Sequence, residues 1–246
     1  IFCLKVLQMP NSILPGTWRL DSVRGCNVYL CDLGTEGTAI VDTGVRVSSE
    51  LTAEIDQILR LNRLGPISYI LLTHRHRDHC GGLKRMKQIY PDASVVAGEA
   101  DCKTSDGGQL VINEILIDIP VSSTSGSVSR PVSGIRAVAL PGHTRGSVIY
   151  ISEKNDVTFV GDLVIGHKEY LARPLRRANE DDALYLASLR LLSNLTSDIG
   201  APGHGYVVSR DFRARVTELA ALPRRAFNLV RLIRGLFAFA RLRFNR

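Results

Sequence analysis

The segment Thr73-His74-Arg75-His76-Arg77-Asp78-His79-Cys80-Gly81-Gly82 places four side chains able to bind a metal within six residues, directly after the apolar run Tyr69-Ile70-Leu71-Leu72. That run reads as a short buried strand, because it is uniformly apolar and stops where the polar residues begin. At a strand end, side chains two residues apart point the same way, so His74 and His76 can converge on one ion. Asp78 and His79 lie further around the turn and can reach a second. Imidazoles with a carboxylate, and no thiolate, suit zinc, manganese, iron or cobalt. The chain has 6 histidines, and half of them stand here, a concentration that a merely polar loop does not require.

Four further segments share one local design. Val41-Asp42-Thr43-Gly44 follows Thr38-Ala39-Ile40, Pro141-Gly142-His143-Thr144 follows the strand Ile135 to Leu140, Gly161-Asp162 closes Val157-Thr158-Phe159-Val160, and Pro202-Gly203-His204-Gly205 comes last. Each puts a donor where an apolar strand meets a glycine turn. Glycine permits the tight backbone bend that lets several strand ends crowd around one site.

In this order the motifs resemble the signature of the metallo-β-lactamase-fold hydrolases, from roughly Cys26 to Tyr206, with five of the six histidines on ligand positions. The resemblance implies an α/β architecture, an αββα sandwich of two mixed sheets face to face with helices outside. It implies two divalent metal ions per chain, zinc first, with manganese, iron or cobalt as the other choices. His74, His76 and His143 would hold one ion, Asp78, His79 and His204 the other, and Asp162 would bridge them. Asp42 looks like the group that orients the ligand loop through hydrogen bonds, a support that metal ligands commonly need. Two ions close together lower the pKa of a shared water, so a bridging hydroxide exists at neutral pH. Asp78 can accept its proton and pass it to the leaving group.

The implied reaction is hydrolysis of an ester-like bond in a small molecule: a carboxylic ester, lactone, thioester, phosphoester or phosphotriester, as in the glyoxalase II-like, lactonase and phosphotriesterase branches. Asp162 stands where the true β-lactam-cleaving enzymes lack a bridging Asp, and His76 where flavo-di-iron proteins carry Glu. RNA-processing relatives need insertions for which 246 residues leave little room, so no nucleic acid partner is expected. Two other readings stay open: a mononuclear-iron persulfide dioxygenase, and a surface-associated, non-catalytic module working through the basic tail.

Substrate contacts are expected between Asp162 and Ala201. Tyr170 could donate a hydrogen bond to a carbonyl or phosphoryl oxygen as an electrophilic assistant. His167, the histidine outside the ligand set, and Arg145, beside His143, are further candidates, each with a structural or salt-bridge alternative. The few fixed charges on the loop Leu163 to Arg177 point to a neutral substrate.

Composition then divides the chain. With 45% hydrophobic residues, residues 1–222 are enough for one catalytic domain. From Pro223 to Arg246 there are seven arginines and no acid, so the net charge of +7 belongs to this stretch and the remainder balances. On a helical wheel Leu229, Ile233, Leu236, Ala240 and Phe244 share a face and Arg224, Arg231, Arg234 and Arg241 the other, a basic amphipathic helix. It suits packing on the core or a second subunit, a homodimer included, or contact with an anionic membrane surface. No run of eighteen uncharged apolar residues and no signal-peptide pattern is visible, and the 5 cysteines form no CxxC pair. The expectation is therefore a cytoplasmic protein with free thiols. Strands are expected near 2–8, 26–33, 38–42, 68–72, 94–97, 109–119, 135–140, 147–152, 157–161 and 198–201, and helices near 48–62, 81–90, 181–194 and 209–222. Pro120 to Pro131 reads as a surface loop.

Overall fold

Successive residues of the central strands alternate between two apolar environments, and that alternation builds the layers. In a computed structural model describing residues 12–14 and 16–223, the strands are β1 (Ser12–Leu14), β2 (Thr17–Arg19), β3 (Tyr29–Asp32), β4 (Thr38–Val41), β5 (Ile67–Leu71) and β6 (Ser94–Gly98). There follow β7 (Lys103–Thr104), β8 (Leu110–Ile112), β9 (Ile115–Leu116), β10 (Ile119–Val121) and β11 (Val128–Val132). The last are β12 (Ile135–Ala139), β13 (Val148–Ser152), β14 (Val157–Gly166), β15 (Leu171–Ala172) and β16 (Ile199–Gly205). The helices are α1 (Ser49–Asn62), α2 (Arg77–Cys80), α3 (Leu83–Ile89), α4 (Asp182–Leu195) and α5 (Phe212–Ala221).

One sheet runs β1-β2-β3-β4-β5-β6-β10 and the other β11-β12-β13-β14-β15, with β16 pairing β14. Both are mixed: β4, β5 and β6 pair in parallel and β16 runs parallel to β14, whereas the hairpin-linked neighbours are antiparallel. Tyr29, Cys31, Ala39, Val41 and Leu71 of the first sheet meet Ala137, Tyr150, Phe159 and Ala201 of the second in one core between the sheets. The Tyr29 and Phe159 rings meet there with centroids 5.5 Å apart. The alternate residues Leu30, Ile40, Ile70 and Val95 face outward onto Leu51, Ile55 and Ile58 of α1 and onto Leu83 and Met86 of α3. On the far side Val138, Ile149 and Val160 cover Tyr185, Leu189 and Leu192 of α4 and Phe212 and Val216 of α5. A period of two on strands with a different apolar layer on each face gives the four-layer αββα sandwich that the sequence implied.

The helices begin where capping chemistry allows. Ser48 accepts a hydrogen bond from Leu51 N at the start of α1, and Asp181 accepts from Ala183 N and Leu184 N at the start of α4, so exposed amide donors are satisfied at both ends. On α4 the buried side chains are Tyr185, Ser188, Leu189 and Leu192, while Leu191 is exposed; the buried stripe includes Tyr185, whose hydroxyl donates to Leu163 O.

Two loops depart from expectation. The single strand expected over 109–119 is a hairpin of β8 and β9 within a separate three-stranded sheet with β7, because Asn113 and Glu114 both take positive φ and reverse the chain in two residues. Pro120 to Pro131 is bounded by β10 and β11 rather than looped throughout. The strand expected near 2–8 and the basic helix of the tail lie outside the described residues. Among the described residues no helix is long and apolar enough to cross a membrane.

Candidate metal centre

Five loops at the ends of β4, β5, β12, β14 and β16 bring their polar residues together between the two sheets. His74 and His76 leave β5, His143 leaves β12, Asp162 stands within β14 and His204 within β16, while Asp78 and His79 occupy the one-turn helix α2. His74, His76 and His143 have ring nitrogens close enough to share one ion, as do His74, His79 and Asp162, and Asp78, His79 and His204. The two outer groups are thus joined through His74, His79 and Asp162. All seven residues expected from the sequence meet in this one cluster.

The hydrogen bonds fix which lone pairs face inward. Thr73 Oγ1 lies 2.8 Å from Asp42 Oδ2 and 3.1 Å from His74 Nδ1; the hydroxyl donates to the carboxylate, so it accepts from His74 Nδ1–H and leaves His74 Nε2 as an acceptor. His143 Nδ1 lies 3.0 Å from Asn179 Oδ1, an oxygen that can only accept, which leaves His143 Nε2 bare as well. His74 Nε2 and His143 Nε2 are each 3.0 Å from His76 Nδ1, and a neutral His76 can donate to one of them at most. On the other side His79 Nδ1 lies 2.7 Å from Asp42 Oδ2, and its Nε2 points at Asp162 Oδ1, 3.2 Å away, and at His204 Nε2, 3.4 Å away. Asp162 Oδ1 is itself buried without a satisfied hydrogen bond. The inward lone pairs of His74 and His143, beside a buried carboxylate oxygen that makes no hydrogen bond of good geometry, are a set that a cation satisfies, so the residues fit divalent metal.

Charge follows the same division. Burial, helped by the neighbouring imidazoles, holds His74 well below the ordinary histidine value and lowers His76 too. At His79 burial opposes protonation, but the acidic neighbours Cys26, Asp162 and Asp42 outweigh it and raise the imidazole well above that value. At His204 Asp162 and Asp78 do the same against burial. Burial would raise the Asp78 and Asp162 carboxyls, yet His204 and His79 hold both below the carboxylate range. Asp78 is therefore ionised, as a ligand or proton acceptor must be.

The backbone around the cluster is pinned by groups that the sequence reading did and did not find. Asp42, at φ 62 and 2% exposed, accepts from Thr73 N at 2.8 Å and so ties the end of β4 to the histidine loop, as expected. Asp101 was not foreseen. It is buried and accepts from Arg75 N, Thr144 Oγ1 and Gly146 N, each at 2.8 Å, stitching the loop of His74 and His76 to the loop of His143. Asn179 was missed too, as was Asn27, whose Nδ2 donates to Pro202 O and Gly205 O on either side of His204. The available signal for Asp101 was its place just beyond β6, on the same sheet edge as the histidine loop. At Gly203 a side chain would run into the His79 ring and Asp162 Oδ1, which is why glycine precedes His204.

The three residues expected at the substrate are not part of this cluster. Tyr170 is 57% exposed and stacks on His167, centroids 4.4 Å apart, on the turn between β14 and β15. Arg145 is exposed, and its N donates to Glu180 Oε2 at 3.0 Å; Arg75 pairs with the same carboxylate. The Cys80 thiol, pushed by burial up to about 11, donates to Arg75 O, a structural use.

This donor set on the paired edges of an αββα sandwich defines a metallo-hydrolase fold. The family model described as the metallo-beta-lactamase superfamily matches residues 21–204, and the chain belongs to that superfamily. Among curated relatives it is similar to an atrochrysone carboxyl ACP thioesterase of Aspergillus terreus, 31% identical over 86% of this chain and 59% of that one. It is likewise similar to thioesterase pkgB of Emericella nidulans, 32% identical over 78% of this chain and 48% of that one. The chain thus spans about half the length of these relatives. Among solved structures, the metallo-beta-lactamase FIM-1 of Pseudomonas aeruginosa in its mono-zinc form aligns with TM-score 0.62 at 17% identity, over 85% of this chain and 92% of that one. An archaeal superfamily protein of Sulfolobus tokodaii aligns with TM-score 0.62 at 18% identity, over 91% and 96%. At such identities the structural likeness concerns the fold.

Proposed function

We propose that this chain is a metal-dependent hydrolase whose substrate is a thioester. The observation that carries the reading is the convergence of seven donors on overlapping ligand sets in a chain among whose curated relatives are named thioesterases. His74, His76 and His143 would hold one divalent ion, Asp78, His79 and His204 a second, with Asp162 between them; zinc suits the nitrogen-rich set best. When bound, such ions supply a water-derived nucleophile at neutral pH and an electrophilic pull on the acyl carbonyl. The chain's own groups do the rest. Asn179 and Thr73 fix the tautomers of His143 and His74, Asp42 and Asp101 hold the loops, and the ionised Asp78 is placed to take a proton and release it to the leaving thiolate. Tyr170 and His167 would form part of the wall against which the substrate lies.

Initial hydrolysis rates of metal-replete protein on a thioester, an acyl-homoserine lactone, an aryl phosphodiester and an aryl phosphotriester, with Asp162→Ala as background, test the reading. Turnover of the thioester well above that background is expected. Preference for the lactone or a phosphoester would move the chain to another branch of the superfamily, and full activity in Asp162→Ala would sink the mechanism.

A further inference from the structure

The arginines around the centre fall into two groups that differ in what neutralises them. Arg75 pairs with Asp101 and Glu180, and Arg145 lies within 3.9 Å of Glu180, so both are committed to internal carboxylates. Arg24, Arg46 and Arg77 are exposed, and among the described residues none of them forms a salt bridge or a side-chain hydrogen bond. Only the charge of Glu50 is felt at Arg46, without contact.

These three come from separate segments and are drawn together by backbone packing. Val45 N donates to Arg24 O at 3.1 Å, and Val45 is the neighbour of Arg46. A side chain at Gly81 would collide with the carbonyls of both Arg77 and Val45, and one at Gly25 would meet Val45 and Asp78. Glycine at these two positions lets the Arg24, Val45-Arg46 and Arg77-Asp78 backbones touch. The chain segments that carry these three exposed arginines are therefore adjacent, with Arg77 directly before Asp78. The charge is local: apart from the stretch after Leu222 the chain has as many acids as bases. Arginines without a salt-bridge partner attract anions, and the guanidinium fork matches phosphate in particular.

Resting on the thioester reading above, we propose that Arg24, Arg46 and Arg77 recognise the phosphate of a phosphopantetheine arm, so that the substrate is an acyl group on a phosphate-bearing thiol and not a neutral ester. The arm is flexible and separates phosphate from thioester, so the charge rests on the outer arginines while the carbonyl reaches the histidines. The neutral substrate expected from the sequence followed from the loop Leu163 to Arg177; the uncompensated charge lies on three other loops. A phosphate contact also explains why Arg145, the arginine singled out in the sequence, is not needed for this role: Glu180 already occupies it.

The test compares acetyl-CoA with the acetyl thioester of N-acetylcysteamine, which presents the same bond without phosphate. The KM ratio in favour of acetyl-CoA is expected to be on the order of tenfold or more at low salt, because exposed charge attraction of this kind is screened only as ionic strength rises. The ratio should collapse towards unity in the triple variant R24Q/R46Q/R77Q and persist in Arg130→Gln, a charge change on β11. Acetyl-phosphopantetheine in place of acetyl-CoA separates the arm's own phosphate from those of the nucleotide: dependence of acetyl-phosphopantetheine on the three arginines supports the proposal, and dependence of acetyl-CoA alone overturns it. Equal KM for phosphorylated and neutral thioesters, or a ratio unchanged in the triple variant, overturns it while leaving the thioesterase reading intact. If neither thioester is turned over, the thioesterase reading fails, and equilibrium binding of desulfo-CoA to the metal-loaded protein decides the arginine site independently. Tight binding lost in the triple variant sustains the site, and equal binding by both proteins refutes it.

Discussion

Asp101 Oδ2 accepts hydrogen bonds at 2.8 Å from both Arg75 N and Thr144 Oγ1, and through that one oxygen the two loops that carry His74, His76 and His143 are held in register. Every partner of this carboxylate is a donor, Gly146 N included. Burial raises its carboxyl above the ordinary value, and the bonds from Thr144, Gly146 and Arg75 oppose that shift. Asp101→Asn would turn an amide NH2 towards one of these donors. The expected result is loss of about 10–100-fold in metal affinity, falling on the three-histidine half of the centre. Cobalt(II) titration followed by absorption spectroscopy reads it: the variant should fill one half-site normally and the other weakly. Equal weakening of both would mean that Asp101 only stabilises the fold.

Asp42 supports the other half. Its Oδ2 holds His79 Nδ1 at 2.7 Å, and its Oδ1 accepts from Thr73 N. In Asp42→Ala the Thr73 amide and His79 Nδ1–H lose a buried acceptor, a change that costs about 1–3 kcal/mol for each unsatisfied group. Alanine at φ 62 adds strain, since a residue without a short polar side chain rarely adopts that conformation. A lower Tm together with reduced metal retention on dialysis is the expected outcome. Unchanged Tm would show that water replaces the carboxylate at no cost.

What the sequence made legible at this site has a physical reason. His74 and His76 follow the apolar β5, and His143 stands where an apolar strand meets a glycine turn, so there the donor marks the strand's end; Asp162 and His204, expected at such ends, lie within β14 and β16, which continue to Gly166 and Gly205. The sandwich followed from the resemblance of these motifs to the metallo-β-lactamase-fold hydrolases; in the structure Leu30, Ile40 and Ile70 alternate with Tyr29, Ala39 and Leu71 on opposite faces. Asp101 and Asn179 carry no such mark. Their partners lie 26 to 45 residues away for Asp101 and 36 for Asn179, and only the folded chain brings them into reach. The hairpin of β8 and β9 was hidden because Asn113-Glu114 lacks the glycine that usually announces a two-residue turn.

Tyr170 offers a sharper test of the substrate wall. Its ring is exposed and leans on His167, and the proposed function gives it a place in the substrate wall. Tyr170→Phe keeps the stacking and removes the hydroxyl. It should raise KM by about 5–10-fold, the loss of roughly one hydrogen bond of 1–1.5 kcal/mol, with kcat on a fast thioester lowered less. Kinetics unchanged in Phe but altered in Tyr170→Ala would assign the ring, and not the hydroxyl, to the wall.

The charge pattern of the centre predicts how metal and protons compete. His79 and His204 are raised above 6.5 by their carboxylate neighbours, and Asp78 and Asp162 are lowered below 3.8 by the same imidazoles. For the histidines the folded value exceeds the unfolded one, so the stability their pairing gives the metal-free protein is complete below pH 6.5 and is lost as pH rises through the raised values. For the carboxyls the folded value is depressed, so their contribution is present above 3.8 and is lost as pH falls through the lowered values. Metal must displace the protons of His79 and His204, so binding releases protons and strengthens as pH rises. The difference in Tm between metal-loaded and metal-free protein is therefore expected to widen from pH 6 to pH 9. Calorimetric titration of metal in two buffers of unlike ionisation heat should show proton release at the lower pH that fades at the higher. A Tm difference that narrows over this range, or metal uptake without proton release at pH 6, would show that His79 and His204 are already neutral in the metal-free centre.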